Sequence, residues 1–150
     1  MGNKNVNEVI NILREKASSG NYIYEFVINY YLSRKLKTDS FNQILDKINN
    51  LKDFSLDEII EIIGGLSEYA GRRGGGENTT VKSIIDLSLE LLTLEKEDTL
   101  LDVGSGIGTT LLEASKTSSI SGIEINTHNY MLSYLLLDLF NIEIEKRMHS

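Results

Sequence analysis

The sequence predicts an α/β protein in which a helical module precedes the first part of a parallel-sheet domain. Three observations support this fold class. Apolar residues recur three and four positions apart through residues 1–70, which is the spacing of a buried helix face. A glycine-rich segment, GRRGGGENTT, follows at 71–80. Over 81–150, β-branched runs alternate with helical runs, and this alternation is typical of parallel strands joined by helices.

The module at 1–70 is predicted to contain four short helices and no visible chemistry, because helical apolar stripes usually form a core. The fourth helix has the clearest start, a capping box in which Ser55 is followed three residues later by Glu58. The other predicted helices are one with Val6, Val9, Ile10 and Leu13 on a single face, one over 22–36, and one from Ser40 to about Asn50.

The domain at 81–150 is predicted to follow the order helix, strand, helix, strand, helix, strand. Asn78, Thr79 or Thr80 can cap the first helix, and a threonine cap at 109 can open the second. Glycines at 71–80 indicate either a flexible linker or a loop that folds over a ligand. The predicted strands are TLLDV at 99–103, SISGIEI at 119–125, and one that begins within IEIEKRMHS at 142–150.

The composition limits the function classes. The 150 residues include no cysteine, which excludes disulfides, zinc–thiolate sites and cysteine nucleophiles, and His128 and His149 match no metal-binding spacing. The N-terminus lacks the apolar stretch of a signal peptide, and the longest apolar run, at 131–140, is too short to span a bilayer. These features predict a cytoplasmic protein that does not bind membranes.

The charge is unevenly distributed. The net charge is −7, and residues 77–150 carry five basic and twelve acidic side chains, against ten of each in residues 1–76. A surface that binds nucleic acid by itself is usually basic. Any contact with DNA is therefore expected to use surfaces or subunits outside this chain.

The segment DVGSGIG, at 102–108, lies between a predicted strand and a predicted helix. Glycine permits positive φ angles and lets a ligand approach the backbone. The helix that follows directs free N–H groups toward such a ligand, and ligands of open α/β sheets lie beyond the carboxyl ends of the strands. This arrangement indicates a nucleotide-type site, although the same glycines could simply form a tight turn.

Three residues favour S-adenosylmethionine over a dinucleotide as the ligand. Asp102 suits a cationic amine and would repel a pyrophosphate. The dinucleotide fingerprint requires a glycine at position 109, which is threonine here. Glu124, at the end of the second predicted strand, can accept hydrogen bonds from both hydroxyls of a ribose.

DVGSGIG followed by GIEIN resembles the first two motifs of the S-adenosylmethionine-dependent methyltransferases. The resemblance is closer to the adenine-specific DNA methyltransferases, in particular the modification (M) subunits of type I restriction–modification systems. In those proteins a helical module, then a glycine-containing loop and a helix, precede the glycine motif. GRRGGGENTTVKSIIDLSLELL occupies that place here. The resemblance implies a Rossmann-like methyltransferase domain whose parallel sheet is incomplete in this chain.

The resemblance also implies a set of residues that bind S-adenosyl-L-methionine. The loop ENTTV lacks the aromatic residue and the Thr-Pro step usual in the family, and the chain has no proline. It therefore lacks the Asn-Pro-Pro-Tyr/Phe motif that holds a flipped adenine, and no catalytic residue is predicted. The implied residues are Asp102, Gly104, Ser105, Gly106 and Gly108 at the methionine end, Glu124 at the ribose, Ile125 at the adenine ring, and Asn78, Thr79 and Thr80 closing over the methionine end.

The predicted function is the cofactor side of a DNA adenine methyltransferase, with this chain inactive alone. The alternatives are a methyltransferase that acts on RNA, protein or a small molecule, and a truncated, non-catalytic protein that binds the cofactor or a partner. The expected partners are DNA, through other parts or a specificity subunit, other restriction–modification subunits, and a second copy bound through an unpaired sheet edge.

Overall fold

The structure is a computed structural model that describes residues 4–16, 21–36, 53–72 and 79–149. The chain divides into two compact units, Met1–Asn78 and Thr79–Ser150. The helix predicted from Ser40 to about Asn50 and most of the glycine-rich segment lie outside the described residues.

The first unit contains three described helices whose apolar faces form one core. The regular α-helix predicted over 22–36 ends at Tyr31 and continues as a wider, π-helical turn over Leu32–Leu36. The predicted stripe of the first helix is confirmed, because all four of its residues are buried. The helices are α1 (Lys4–Lys16), α2 (Tyr22–Tyr31) and α3 (Leu56–Arg72). The buried residues include Val6, Val9, Ile10, Leu13, Phe26, Ile59, Ile60, Ile63 and Leu66.

The capping box at the start of α3 is confirmed. The Glu58 N–H donates to Ser55 Oγ at 3.2 Å, and the Ser55 N–H donates to Glu58 Oε2 at 2.9 Å. Each side chain thus satisfies a backbone group that the first helical turn leaves unpaired. The Phe54 N–H donates to the Tyr30 hydroxyl at 2.7 Å, which ties the end of α2 to the entry of α3.

The second unit alternates helices and strands in the predicted order. Its three strands are parallel and adjacent in the order β1-β2-β3. The elements are α4 (Lys82–Leu92), β1 (Thr99–Val103), α5 (Thr109–Ala114), β2 (Ser119–Glu124), α6 (Thr127–Leu139) and β3 (Lys146–His149). Across the described part of the chain, every helix is too short or too polar to cross a bilayer.

The core of the second unit lies between the sheet and α5. Leu100 pairs with Ile120 across the strands, and both are buried. On the same face, a Cβ added at Gly122 would lie 2.7 Å from Leu111 Cδ1, so α5 packs against this face. The next residues along β1 alternate to the other face, where Leu101 is 58% exposed and Val103 is 72% exposed.

The predicted threonine caps of α4 and α5 are wrong. Val81, in an extended conformation, is the N-cap of α4, and its side chain makes no capping hydrogen bond. Gly108 is the N-cap of α5, so Thr109 is already the first helical residue. The left-handed turn at Gly108 (φ +86°) redirects the chain into the helix. Asn126 does cap α6, through its side-chain oxygen and the Asn129 N–H at 3.1 Å.

Candidate cofactor site at the ends of the parallel strands

The predicted site residues of β1 and β2 lie at the carboxyl ends of the two adjacent strands. Parallel strands bring their carboxyl ends together, and here Asp102 is paired with Gly122, two residues before Glu124. Because side chains two positions apart point to the same side of a strand, the side chains of Asp102 and Glu124 share the face that carries α5. The structure therefore brings together the two carboxylates that the sequence identified.

The three glycines of the loop all have positive φ angles, as predicted, but they serve two different purposes. Gly104, Gly106 and Gly108 have φ angles of +81°, +56° and +86°. A Cβ added at Gly104 or Gly106 would meet no atom within 4 Å, so space beside the loop is open to a ligand. A Cβ at Gly108 would lie 3.1 Å from Ser133 Cβ. Gly108 instead allows α6 to approach the loop closely.

Four amides of the loop, those of Gly104, Ser105, Gly106 and Gly108, are bonded to oxygens of the protein itself. The N–H groups of Gly104 and Ser105 donate to the Ile123 carbonyl at 2.8 and 2.9 Å, and the Gly108 N–H donates to the Ser105 carbonyl at 2.9 Å. The Gly106 N–H donates to Glu124 Oε2 at 2.6 Å. Phosphate-binding loops use such N–H groups for the phosphate oxygens. These bonds thus support the prediction that the ligand group here is not a phosphate.

Glu124 is almost completely buried, with 6% of its surface exposed. Its Oε2 accepts the Gly106 N–H, and its Oε1 accepts the Asn126 N–H, both at 2.6 Å. An ionised carboxylate can accept about four hydrogen bonds, so capacity remains for ligand hydroxyls. Sequence reasoning gave Glu124 only the ribose contact, which stays a prediction. The contact with the glycine loop is an addition from the structure.

Asp102 supplies the second negative charge of the site. Its burial, and then the charge of Glu124, raise the pKa of the Asp102 carboxyl above its ordinary value. Both causes disfavour the ionised form, and a cation placed beside the carboxylate would oppose both. The site therefore suits a ligand with a positively charged amine, and the residues present fit the methionine end of S-adenosylmethionine.

Gly122 and Asn126 are two site residues that sequence reasoning missed. A Cβ at Gly122 would lie 3.3 Å from Ser105 Oγ, in addition to its overlap with Leu111. Any larger residue at this position would displace the Leu111 side chain and crowd Ser105, so glycine lets both the loop and α5 lie close to the strand. A glycine inside a β-branched strand often marks such a close approach, and this signal could have identified Gly122. Asn126 could have been identified as the N-cap of the next helix.

The other predicted site residues are less constrained by the structure. Ile125 directly follows Glu124 and is 74% exposed, so its side chain is available to pack against a planar ring. Thr79 is half-buried and Thr80 is exposed, just before α4. Asn78 lies outside the described residues. The expected cofactor contacts of all four residues stay predictions.

Comparisons with solved structures show that the chain has a methyltransferase fold. No family model matches the sequence, and no curated protein matches it significantly. Among solved structures, the chain is similar to a Listeria monocytogenes protein assigned to the class I S-adenosylmethionine-dependent methyltransferases, with a TM-score of 0.71, 16% identity and 99% of this chain covered. It is also similar to the methyltransferase subunit of a type I restriction–modification system from Streptococcus thermophilus, with a TM-score of 0.55, 15% identity and 97% of this chain covered.

The chain spans 54% of the length of the first of these proteins and 39% of the second. At these identities the likeness establishes a shared fold. The predicted fold class, a helical module followed by the first part of a Rossmann-like methyltransferase domain, is therefore confirmed. So is the structural resemblance to a modification subunit.

Proposed function

We propose that this chain binds S-adenosyl-L-methionine and forms the cofactor side of a methyltransferase. The observation that carries the proposal is the pair of carboxylates, Asp102 and Glu124, beside a glycine loop in which the amides of all three glycines are bonded within the protein. This arrangement favours a ligand with a cationic amine and hydroxyl groups, and disfavours a phosphate. The methyltransferase fold of the two similar structures supports the same ligand.

In this proposal each part of the site binds a different part of the cofactor. Asp102 accepts hydrogen bonds from the amine, the open side of Gly104 and Gly106 accommodates the methionine chain, and Glu124 accepts from the ribose hydroxyls. The other predicted contacts are Ser105 and Gly108 in the same loop, Ile125 against the adenine ring, and Asn78, Thr79 and Thr80 over the methionine end. When bound, the cofactor supplies an electrophilic methyl group on its sulfonium, and these residues orient it.

We further propose that the acceptor is the exocyclic amine of adenine in DNA. The similarity to a type I restriction–modification methyltransferase subunit supports this substrate class. The chain contains no proline, so the Asn-Pro-Pro-Tyr/Phe motif would lie on another segment, and the chain alone would be inactive. DNA would be contacted through that segment or a specificity subunit, in keeping with the acidic composition of residues 77–150. The cytoplasmic location stays a prediction.

Calorimetric titration with S-adenosylhomocysteine tests the cofactor proposal. We expect the wild-type chain to bind it, and Asp102→Ala to weaken binding about tenfold or more, because a hydrogen bond to a charged group contributes about 1.5–3 kcal/mol. Glu143→Ala, an exposed acidic residue of the same unit, is the matched control and should bind like the wild type. NAD and pyrophosphate should not compete.

Two results would contradict the cofactor proposal. One is the absence of binding heat at millimolar S-adenosylhomocysteine. The other is unchanged affinity in both Asp102→Ala and Glu124→Ala, which would remove both carboxylates from the site. If the cofactor binds, methylation of DNA, RNA and protein by the reconstituted enzyme identifies the acceptor, and a lack of adenine methylation would contradict the proposed substrate.

A further inference from the structure

The glycine loop is fastened to the end of β2 by two different acceptors. The Ile123 carbonyl accepts the N–H groups of Gly104 and Ser105 at 2.8 and 2.9 Å. The Glu124 carboxylate accepts the next amide, that of Gly106, through Oε2 and the amide of Asn126 through Oε1, both at 2.6 Å. A single buried side chain thus joins the glycine loop to the segment that begins α6.

We infer that Glu124 is a positioning residue that holds the glycine loop in shape before any ligand arrives. A carboxylate suits this role because both of its oxygens are acceptors, so two N–H groups can bond to it at once. Such charge-assisted bonds are shorter and stronger than those between neutral groups. Gly106 has a positive φ angle (+56°) and lies in the loop after β1, where its amide pairs with the carboxylate and not with a strand or helix carbonyl.

This role matters for binding because a loop that is already ordered loses less conformational entropy when the ligand binds. The same carboxylate retains unused acceptor positions, so it can hold the loop and still bind hydroxyl groups. The link to a ligand rests on the proposed function. The ordering of the loop by Glu124 does not, because both hydrogen bonds join groups of the chain itself.

The test is Glu124→Gln, followed by hydrogen exchange at single amides without ligand. Glutamine has the same shape but only one acceptor oxygen, and its NH₂ group would face an N–H. We expect the amides of both Gly106 and Asn126 to lose protection. At least one of them should exchange about tenfold faster or more, because the charged acceptor is lost. Gly104 and Ser105 are internal controls, because the Ile123 carbonyl accepts their N–H groups.

A control and a second readout separate this role from general support of the fold. Glu143→Gln removes the same charge from an exposed position of the same unit and should leave all four amides unchanged. A measurement on the wild type needs no variant. Without ligand, the Gly106 and Asn126 amides should be protected from hydrogen exchange, as the Gly104 and Ser105 amides should be.

Each outcome decides the inference. Equal acceleration at all four amides would mean general loosening and would overturn it. Unchanged rates at Gly106 and Asn126 would also overturn it, even if Glu124→Gln lost affinity for S-adenosylhomocysteine, because Glu124 would then act on the ligand alone. Selective acceleration in a chain that does not bind S-adenosylhomocysteine would support the inference while contradicting the proposed cofactor. If Glu124→Gln does not fold, Gly106 and Asn126 amides that exchange without protection in the ligand-free wild type would overturn it.

Discussion

The carboxyl group of Asp102 is half-buried and lies close to Glu124, so it ionises less readily than a carboxyl group in water. Burial and the charge of Glu124 both raise the pKa of Asp102. Attraction of the proposed cationic ligand, however, requires the ionised form of Asp102. Binding and stability therefore place opposite demands on this residue, a conflict that is common where ionisable groups with shifted pKa values form sites.

This conflict predicts a pH-dependent gain in stability for Asp102→Asn. Because the folded-state pKa of Asp102 is raised, the folded chain binds its proton more tightly than the unfolded chain does. The stability contributed by protonated Asp102 is thus lost as the pH rises from the ordinary pKa of an aspartate through the raised pKa of Asp102 in the folded chain. We expect Asp102→Asn to melt a few degrees higher than the wild type at pH 7, with a smaller gain near pH 4.

Scanning calorimetry at several pH values between 4 and 7 measures this difference. Asp138→Asn, at a half-buried aspartate of α6, is the control for loss of one negative charge. A gain that is the same at every pH, or a less stable Asp102→Asn at pH 7, would contradict the expected cost of ionising Asp102.

Among the elements, α3 contains two adjacent glycines with different surroundings. A Cβ added at Gly64 would meet no atom within 4 Å, whereas one at Gly65 would lie 2.6 Å from Ile10 Cδ1. Arg14 Nη2 also donates to the Gly65 carbonyl at 3.4 Å. Of these two glycines, Gly65 is therefore the one that α1 approaches closely.

The two glycines predict opposite responses to alanine. Gly64→Ala should stabilise the first unit by about 1 kcal/mol, because glycine inside a helix costs roughly that much relative to alanine. Gly65→Ala should lose this gain, since the Ile10 side chain must move. Adding Ile10→Val, which removes Cδ1, to Gly65→Ala should restore part of the stabilisation expected from alanine. The effects of these two substitutions should therefore not be additive. Urea unfolding measures the wild type, the single variants Gly64→Ala, Gly65→Ala and Ile10→Val, and the Gly65→Ala/Ile10→Val double variant. Equal effects of the two alanines would contradict the close approach at Gly65.

At the same scale, the sequence predicted which elements exist better than it predicted where they begin. The strand at 99–103 and the capping box at Ser55 are recognised from local patterns alone. The caps of α4 and α5 are not, because a threonine near a helix start is a candidate wherever it stands, and only the backbone decides which residue is the N-cap. The carboxylate pair was predictable from parallel strand ends. The bond from Glu124 to Gly106 was not, because it joins segments that only the folded sheet brings together.

For the whole molecule, the main feature of the second unit is a parallel sheet with one exposed apolar face. Leu101 and Val103 are mostly exposed on that face, and within the described residues β1 pairs only with β2. Parallel sheets are nearly always covered on both faces. Large apolar side chains are also exposed along α4, namely Val81, Ile84, Leu87, Leu91 and Leu92.

The exposed face predicts that the chain self-associates, with a second copy covering β1. Leu101→Lys should raise the dissociation constant about tenfold or more, because burying one leucine contributes about 1.5–3 kcal/mol. Leu36→Lys is the matched control, since Leu36 is also 58% exposed but lies in the first unit. Salt should strengthen association by screening the acidic second unit. Sedimentation velocity would contradict the prediction if the chain stays monomeric at high concentration or if the two variants behave alike.

The bonds between the glycine loop and β2 have a consequence for the order of folding. The acceptors of the Gly104, Ser105 and Gly106 amides belong to Ile123 and Glu124, which follow one helix and nearly one strand later in the chain. These three amide bonds therefore form only when the crossover is complete and the two strands are aligned in register. The proposed cofactor site is thus expected to form together with the sheet and not before it.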